Sequence, residues 1–344
     1  MSKLLRISLL LSFVLFTSSQ IFSCGGGNSS SSGGNNGNSG NNGNGSGGSP
    51  TASGQTPTEG SGTTSYSGTL PSNIASLTSG SLSVSGSSRS LAVFRPNSSS
   101  NQSLVIALPG TGGDLSDYTG DGGYLSVANS DNVVFIFPAP RDNVQDSWDH
   151  GSPGSPGDGT FWDTENDNAN TNPDLLFFRS IIQQATSQFS INANRVYVIG
   201  HSNGAFMAEL TAQALRNQIA AFAENAGGLV TCPPRSDGDY TTSLTSCSSI
   251  LADAAVPSRL KCSSSSSSYD PEPVVPFSSG LKRPGYLAHG NSDDTVSVYY
   301  TCNLYQDLNS KGYVTQVNIV NGFGHALTPD FVVNAWNFMK NYSL

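Results

Sequence analysis

The pentapeptide Gly-His-Ser-Asn-Gly at residues 200–204 places Ser202 directly after a strand-like apolar run and directly before a helix-like segment. Strand, sharp turn and helix form the context in which G-x-S-x-G presents a serine hydroxyl as a nucleophile. The two glycines let strand and helix approach closely, and the helix N-terminus favours developing negative charge. The pattern predicts nucleophilic catalysis by Ser202, although a chain rich in glycine and serine also produces this string by chance.

A serine nucleophile needs an imidazole base, and the chain has four histidines. His201 lies within the turn itself, where its side chain is expected to point away from the serine hydroxyl. His150 precedes the serine and His289 precedes the candidate acids, whereas a nucleophile of this type is followed in sequence by its acid and then by its base. His325 remains, in the segment Gly-Phe-Gly-His-Ala at residues 322–326 between a strand-like run and the last helical pattern, and is predicted to be the base.

The orienting acid is expected on a loop after the preceding strand, where Asp293 and Asp294 are both candidates. An oxyanion hole needs two backbone N–H donors, of which the residue after the nucleophile, Asn203, supplies one. The segment Leu-Pro-Gly-Thr-Gly-Gly at residues 108–113 follows a strand-like run and fits the second role. Neither a G-x-G-x-x-G nor a G-K-[ST] pattern is present there, so nucleotide binding is a weak alternative.

The elements that must position these residues alternate along the chain. A hairpin pattern covers residues 81–94, and short apolar runs typical of buried strands follow at residues 104–108, 133–137, 196–199, 286–288 and 317–320. Helical patterns cover about 172–189, with Asn172 as N-cap, then about 203–215 and about 329–341. This alternation predicts an α/β fold with a mostly parallel central sheet flanked by helices.

These motifs together resemble the secreted α/β-hydrolase esterases that include polyhydroxybutyrate depolymerases, feruloyl esterases and acetylxylan esterases. The resemblance runs from about Arg89 to the C-terminus and implies a single catalytic domain that hydrolyses carboxylic esters without a cofactor. It implies Asp293 as the acid, three residues after the His-Gly pair, and Thr111 as the second oxyanion donor. Two positions depart from the family pattern: Pro109 replaces the usual histidine of the oxyanion loop, and Ala326 replaces a frequent tryptophan. The resemblance therefore does not identify the substrate.

The N-terminus has the pattern of an export signal. Residues 1–23 combine a short basic region with an apolar stretch that is too short to span a bilayer. The following Cys24 resembles the lipid-modified cysteine of a bacterial lipoprotein, with ordinary secretion as the alternative. Residues 24–67 are almost devoid of apolar side chains and are predicted to form a disordered tether, which leaves residues 68–344 as the catalytic domain. We expect an extracytoplasmic protein, lipid-anchored to a bacterial membrane.

Four further cysteines suit an exported domain with two disulfides. They are Cys232, Cys247, Cys262 and Cys302, and the sequence does not choose among the three possible pairings. Zinc binding is a weaker reading because none of the spacings is as short as zinc sites prefer. No metal site is therefore predicted from them.

A long insertion before residue 172 carries aromatic and acidic residues. Trp148 and Trp162 are candidates for a substrate pocket, and anchoring of the loop on the core is an equal alternative. Asp163, Glu165 and Asp167 alternate in the same loop and could hold calcium. They lack the glycine and the terminal glutamate of a calcium-binding EF-hand loop, so a solvated acidic loop is the preferred interpretation.

Charge excludes some partners. With 15 basic and 24 acidic residues the formal net charge is −9, and no basic patch offers a surface to nucleic acid. The expected partners are an ester substrate and, through the lipid, a membrane, while the oligomeric state stays open. The alternatives are a serine peptidase or lipase on the same fold, or a surface adhesin built on an inactive hydrolase scaffold.

Overall fold

A nine-stranded sheet forms the centre of the computed structural model, which describes residues 58–113, 122–142, 160–164, 166–228, 240–257, 260 and 280–344. Its strands in chain order are β1 (Tyr66–Ser67), β2 (Leu77–Val84), β3 (Ser87–Phe94), β4 (Gln102–Leu108), β5 (Val133–Pro138), β8 (Ile191–His201), β9 (Ala221–Asn225), β10 (Gly285–Gly290) and β11 (Thr315–Val320). Two short strands, β6 (Arg141–Asp142) and β7 (Thr160–Phe161), pair separately. The order across the large sheet is β1-β2-β3-β5-β4-β8-β9-β10-β11.

Most of the sheet is parallel. The strands β1, β2, β3 and β5 pair antiparallel at one edge, whereas every pairing from β5 through β4, β8, β9 and β10 to β11 is parallel. All residues of β4, β5, β9 and β10 are buried. Unbroken burial is expected for strands that helices cover on both faces. The mostly parallel sheet with flanking helices confirms the predicted α/β-hydrolase fold.

The described residues contain six helices, namely α1 (Tyr124–Asp131), α2 (Pro173–Phe189), α3 (Asn203–Ala214), α4 (Cys247–Ala252), α5 (Val298–Ser310) and α6 (Phe331–Met339). The start of α2 follows the prediction, since the Asn172 side chain accepts hydrogen bonds from the backbone N–H groups of Asp174 and Leu175. Asp174 is fully buried and forms an ion pair with Arg89 of β3 at 2.7 Å. The helix is thereby tied to the hairpin as well as to the core.

The core has two layers, one on each face of the sheet. Along β4, Leu104, Ile106 and Leu108 pack with the apolar faces of α2, α3 and α5. The alternate residues Val105 and Ala107 pack on the opposite face with α1 and α6. The period of two along the strand therefore fixes which helices lie on which face, and both faces are closed to water.

The folded domain includes residues before the predicted boundary between tether and domain at residues 67 and 68. The carbonyl oxygens of Ser61 and Gly62 accept hydrogen bonds from the guanidinium group of Arg179, which is 2% exposed. Glu59 forms an ion pair with Arg216, and residues 66–67 pair with β2 as β1. Polar composition alone suggested a tether here, but the backbone of these residues satisfies buried donors of the domain. Residues 58–67 are therefore part of the domain.

One of the expected disulfides lies within the described residues. Cys247, at the start of α4, is bonded to Cys302 of α5, which lies 55 positions later in the chain. Around it Tyr240, Ile250, Val298 and other buried residues form a third, smaller apolar cluster. No helix among the described residues has the length and hydropathy needed to cross a membrane.

Candidate active site

Ser202 lies in a sharp turn between β8, which ends at His201, and α3, which begins at Asn203. Its backbone has φ 53° and ψ −124°, a strained conformation for a residue with a side chain. A Cβ atom at Gly200 would lie 1.9 Å from the carbonyl oxygen of Gly204, and one at Gly204 would lie 2.3 Å from that of Pro109. Only glycine fits at both positions, so the turn that exposes the Ser202 hydroxyl depends on them.

His325 joins the serine to an acid. Its Nε2 lies 3.0 Å from the Ser202 Oγ, and its Nδ1 lies 2.8 Å from the Asp293 Oδ2. The three residues follow β8, β10 and β11, whose carboxyl ends meet at one edge of the parallel sheet. The structure thus brings together the predicted nucleophile, base and acid, with distances that permit proton transfer.

Asp293 is the acid that faces the imidazole, whereas Asp294 is exposed. The Asp293 side chain is fully buried, and its Oδ1 accepts the backbone N–H groups of Thr295 and Val296 at 2.9 and 2.8 Å. Burial opposes ionisation of this carboxyl, but hydrogen bonds from His289 and His325 outweigh it and hold its pKa well below the ordinary value. Asp293 is therefore a carboxylate that can orient His325 and stabilise its protonated form.

His201 takes no proton from Ser202 in this arrangement. Its ring lies 5.0 Å from that of His325, centroid to centroid, and its Nδ1 lies 2.9 Å from the Asn225 Nδ2. Burial, and to a lesser degree the neighbouring His325, lower the pKa of His201 to about 4, so it is neutral at neutral pH. His201 therefore contributes a neutral ring beside the base.

The expected oxyanion donors lie next to the nucleophile. Asn203 is the first residue of α3, and the first N–H groups of a helix have no partner within it. The loop that carries the exposed Thr111 passes close to Ser202, since a Cβ at Gly110 would lie 3.0 Å from the Ser202 Cβ. Gly110 and Asn203 thus flank Ser202, and the role of the Thr111 N–H stays a prediction.

The Trp162 side chain is buried, with only 1% of it exposed. Its ring packs against Phe178, its Nε1 donates to the Pro109 carbonyl at 2.9 Å, and its backbone N–H donates to the Asn203 Oδ1 at 2.8 Å. These contacts favour the interpretation of Trp162 as a loop anchor. The anchor contacts both segments that carry the expected oxyanion donors, a role that the sequence did not indicate.

The remaining candidate sites are the acidic loop around Asp163 and several positions that the structure does not describe. Asp163 pairs with Arg141 at 3.7 Å and accepts the Asn166 N–H, so its carboxylate has a structural role in the loop. No group of three or more His, Cys, Asp or Glu side chains within the described ranges could hold a metal ion. Several predicted positions lie outside the described residues, namely Cys24, Trp148, His150, Glu165, Cys232 and Cys262.

A fold of this type with a serine, histidine and carboxylate in hydrogen-bond contact defines an α/β serine hydrolase. Residues 152–342 match the prolyl oligopeptidase family, and the chain belongs to that family. Among curated proteins there is no match.

Solved structures share the fold at low identity. A ferulic acid esterase aligns with a TM-score of 0.50 and 11% identity over 77% of this chain and 96% of its own. Esterase PE8 aligns at 0.46 and 18%, over 72% and 96%. An acetyl xylan esterase from Aspergillus awamori aligns at 0.47 and 18%, over 73% and 94%. At such identities the likeness concerns the fold alone.

Proposed function

We propose that the protein is an extracytoplasmic serine esterase that hydrolyses carboxylic esters through an acyl-enzyme. The observation that carries the proposal is the pair of contacts made by one imidazole, 3.0 Å to the Ser202 Oγ and 2.8 Å to the Asp293 Oδ2. This geometry lets His325 accept a proton on one nitrogen while the carboxylate holds the other.

In the first half of the reaction the Ser202 Oγ attacks the ester carbonyl carbon and its proton passes to the His325 Nε2. The oxyanion that forms is held by the N–H groups of Asn203 and Thr111. When the intermediate collapses, the bond to the alkoxy oxygen breaks and His325 returns the proton to the leaving alcohol. Water then attacks the acyl-serine with the same base, which releases the acid and restores Ser202.

Neutral esters of the polyhydroxybutyrate, feruloyl or acetyl type are the proposed substrates. The resemblance of the elbow, the oxyanion loop and the His-Gly-x-x-Asp segment to esterases of these classes supports this choice. Residues 68–344 carry 13 basic and 23 acidic residues, a charge that disfavours anionic substrates.

Covalent labelling of the serine and turnover of ester substrates test the proposal. Wild-type protein is expected to react stoichiometrically with a fluorophosphonate and to hydrolyse at least one substrate from a panel of aryl acetates, feruloylated or acetylated sugars and hydroxybutyrate oligomers. Ser202→Ala is expected to abolish both, since the oxygen that forms the covalent bond is gone. Ser187→Ala, an exposed serine on α2, is the matched control and should leave both unchanged.

Labelling that persists in Ser202→Ala would exclude this serine as the nucleophile. The family match supports peptide hydrolysis as the second candidate function. The panel therefore includes peptide amides and triacylglycerols, and preferential cleavage of either would replace the esterase assignment with a peptidase or a lipase. Ligand binding without turnover of any substrate would instead favour an adhesin.

The extracytoplasmic location and the lipid anchor at Cys24 are part of the same proposal. The signal-like pattern of residues 1–23 and the disulfide between Cys247 and Cys302 support it, because disulfides persist mainly in oxidising compartments. Membrane fractionation of a Cys24→Ser variant tests the anchor.

A further inference from the structure

His289 is a buried histidine that the proposed reaction does not use. It lies in β10, four residues before Asp293, and its side chain has no exposed surface. Its Nε2 lies 3.2 Å from the Asp293 Oδ2, the same oxygen that contacts His325. The Asp293 carboxylate therefore contacts two imidazoles, those of His289 and His325, and only His325 also contacts Ser202.

The partners of Nε2 decide its protonation. Besides Asp293, the Val296 carbonyl oxygen lies 2.8 Å from the His289 Nε2. A carbonyl oxygen and a carboxylate oxygen can only accept hydrogen bonds. The Nε2 must therefore carry a proton.

The partner of Nδ1 is the hydroxyl group of Thr301 in α5, at 2.6 Å. That hydroxyl has a single proton and also lies 2.7 Å from the carbonyl oxygen of Gly227, which can only accept. When Thr301 donates to Gly227, the His289 Nδ1 must donate to Thr301. All of these contacts are satisfied together only when both ring nitrogens of His289 carry a proton, and buried polar groups are rarely left unsatisfied.

We propose that His289 is a positioning residue for the acid: a buried imidazolium that donates to Asp293 and compensates its charge. The proposal rests on the proposed function, in which Asp293 orients His325. Two backbone N–H groups fix the Asp293 Oδ1 and two imidazoles fix its Oδ2, so the carboxylate is held in one orientation.

The ionisable groups on the neighbouring elements agree with this charge state. From the end of β8, His201 is neutral near neutral pH, because burial lowers its pKa to about 4. From β9, Glu224 is fully buried, and burial raises its pKa well above the ordinary value, which favours its neutral form. Asp293 is the carboxylate in direct contact with His289, and the two charges compensate each other where solvent is excluded.

A positive charge on His289 beside Asp293 should affect the pH dependence of the reaction. The esterase works when His325 is neutral, and a fixed positive charge beside Asp293 opposes protonation of His325 by Coulomb repulsion. The imidazolium should thereby extend activity toward lower pH. A purely structural histidine would support folding without this effect.

Three variants separate the effect of the positive charge on His289 from the effect of its hydrogen bonds. His289→Gln removes the charge, and we expect kcat to fall about 10-fold with KM nearly unchanged and the acid limb of kcat/KM to move up by roughly one pH unit. Thr301→Val removes the acceptor of Nδ1 and leaves a neutral His289, so the same shift is expected with a smaller loss of kcat. Thr301→Ser keeps the hydroxyl group and is the matched control, with an unchanged profile.

Nitrogen-15 NMR of histidine-labelled, otherwise native protein reads the protonation directly. Near neutral pH the resonances that disappear in His289→Gln are expected to show a proton on both ring nitrogens. One protonated nitrogen, or a pH profile that stays the same in His289→Gln and Thr301→Val, would overturn the proposal. Should a variant fail to fold, the NMR result on the native chain still decides.

Failure of the proposed function gives a different result. If Ser202 does not react with the fluorophosphonate, the esterase proposal fails, while the NMR measurement still reports the state of His289. If Ser202 reacts normally and His289 carries a single proton, only the inference about His289 fails. The pH dependence of the labelling rate replaces kcat/KM when no good ester has been found.

Discussion

Asn225, the last residue of β9, joins the nucleophile to the loop of the base. Its backbone oxygen accepts the Ser202 N–H at 3.0 Å, and its Nδ2 donates to the Ala326 carbonyl at 2.8 Å. Its Oδ1 accepts both the N–H and the hydroxyl of Thr328. The side chain is fully buried, so these hydrogen bonds act where water does not compete.

We expect Asn225→Ala to lower kcat about 10- to 100-fold with KM within about 3-fold, because small displacements of a base are costly to the reaction and not to binding. Steady-state kinetics on the best ester of the panel measures this split. Asn337→Ala, at an exposed asparagine on α6, is the control. A variant that is less stable to heat but keeps the wild-type kcat would reduce Asn225 to a folding role.

The sequence was sufficient for the groups that carry chemistry themselves. The motif around Ser202 and the order of serine, acid and histidine identified residues that the structure brings into contact. The choice of Asp293 needed the resemblance, because two adjacent aspartates differ only in burial. Asn225 and His289 were not predicted as positioning residues, because such residues act through three-dimensional contacts that leave no local pattern.

At the scale of elements, α3 and β9 bury two carboxyl groups behind the elbow. Glu209 is 3% exposed and Glu224 is fully buried. Glu209 Oε1 and both side-chain oxygens of Glu224 have no hydrogen-bond partner in the part of the chain that the structure describes. Burial raises the pKa of each well above 4.5, and for Glu209 the nearby Glu224 raises it further. Burial therefore favours the protonated form of both carboxyl groups.

These acids should make stability depend on pH. The unfolded chain loses the two protons near pH 4.5 while the folded chain keeps them, so the unfolding free energy falls as pH rises above 4.5 until the folded groups ionise. The slope is about 1.4 kcal/mol per pH unit for each retained proton. We expect Glu209→Gln to flatten this fall, as measured by urea unfolding between pH 5 and 9.

The double variant Glu209→Gln, Glu224→Gln should flatten the pH dependence further. A wild-type slope that is unchanged in both variants would show that the two carboxyls do not retain their protons in the folded state.

Helices and strands were predicted correctly where the apolar residues follow an uninterrupted strand or helix pattern. The hairpin β2–β3, the strands β4 and β5 and the capped helix α2 were all expected, because their patterns are strong and local. The sequence patterns did not indicate β9, whose sequence ends in a glutamate and an asparagine, or α5, which mixes aromatic, β-branched and polar residues. Both owe their form to packing against the sheet, which outweighs local propensity.

At the scale of the whole molecule, the described part of the domain begins at residue 58, so a chain without residues 1–57 keeps all the contacts reported above. A chain that begins at residue 58 keeps the partners of Arg179 and Arg216 and should retain wild-type kcat/KM. It lacks Cys24 and is expected in the soluble fraction, as is full-length Cys24→Ser, whereas the wild-type chain is expected with membranes.

Fractionation of bacterial cells, read by immunoblot and by incorporation of labelled fatty acid, measures this difference. Membrane association and fatty-acid label that persist in Cys24→Ser would contradict the anchor. Such a result would leave the enzymatic proposal untouched, because the kinetics of the shorter chain are measured in solution.

The wide spacing of the catalytic groups along the chain also sets when the enzyme can start to work. Ser202 meets a base that is synthesised 123 residues later, and the acid lies between them, 32 residues before that base. No nascent segment that ends before His325 contains the complete site. Hydrolytic activity therefore arises only after the last parallel strand, β11, has docked, which keeps the hydrolase silent through most of its synthesis.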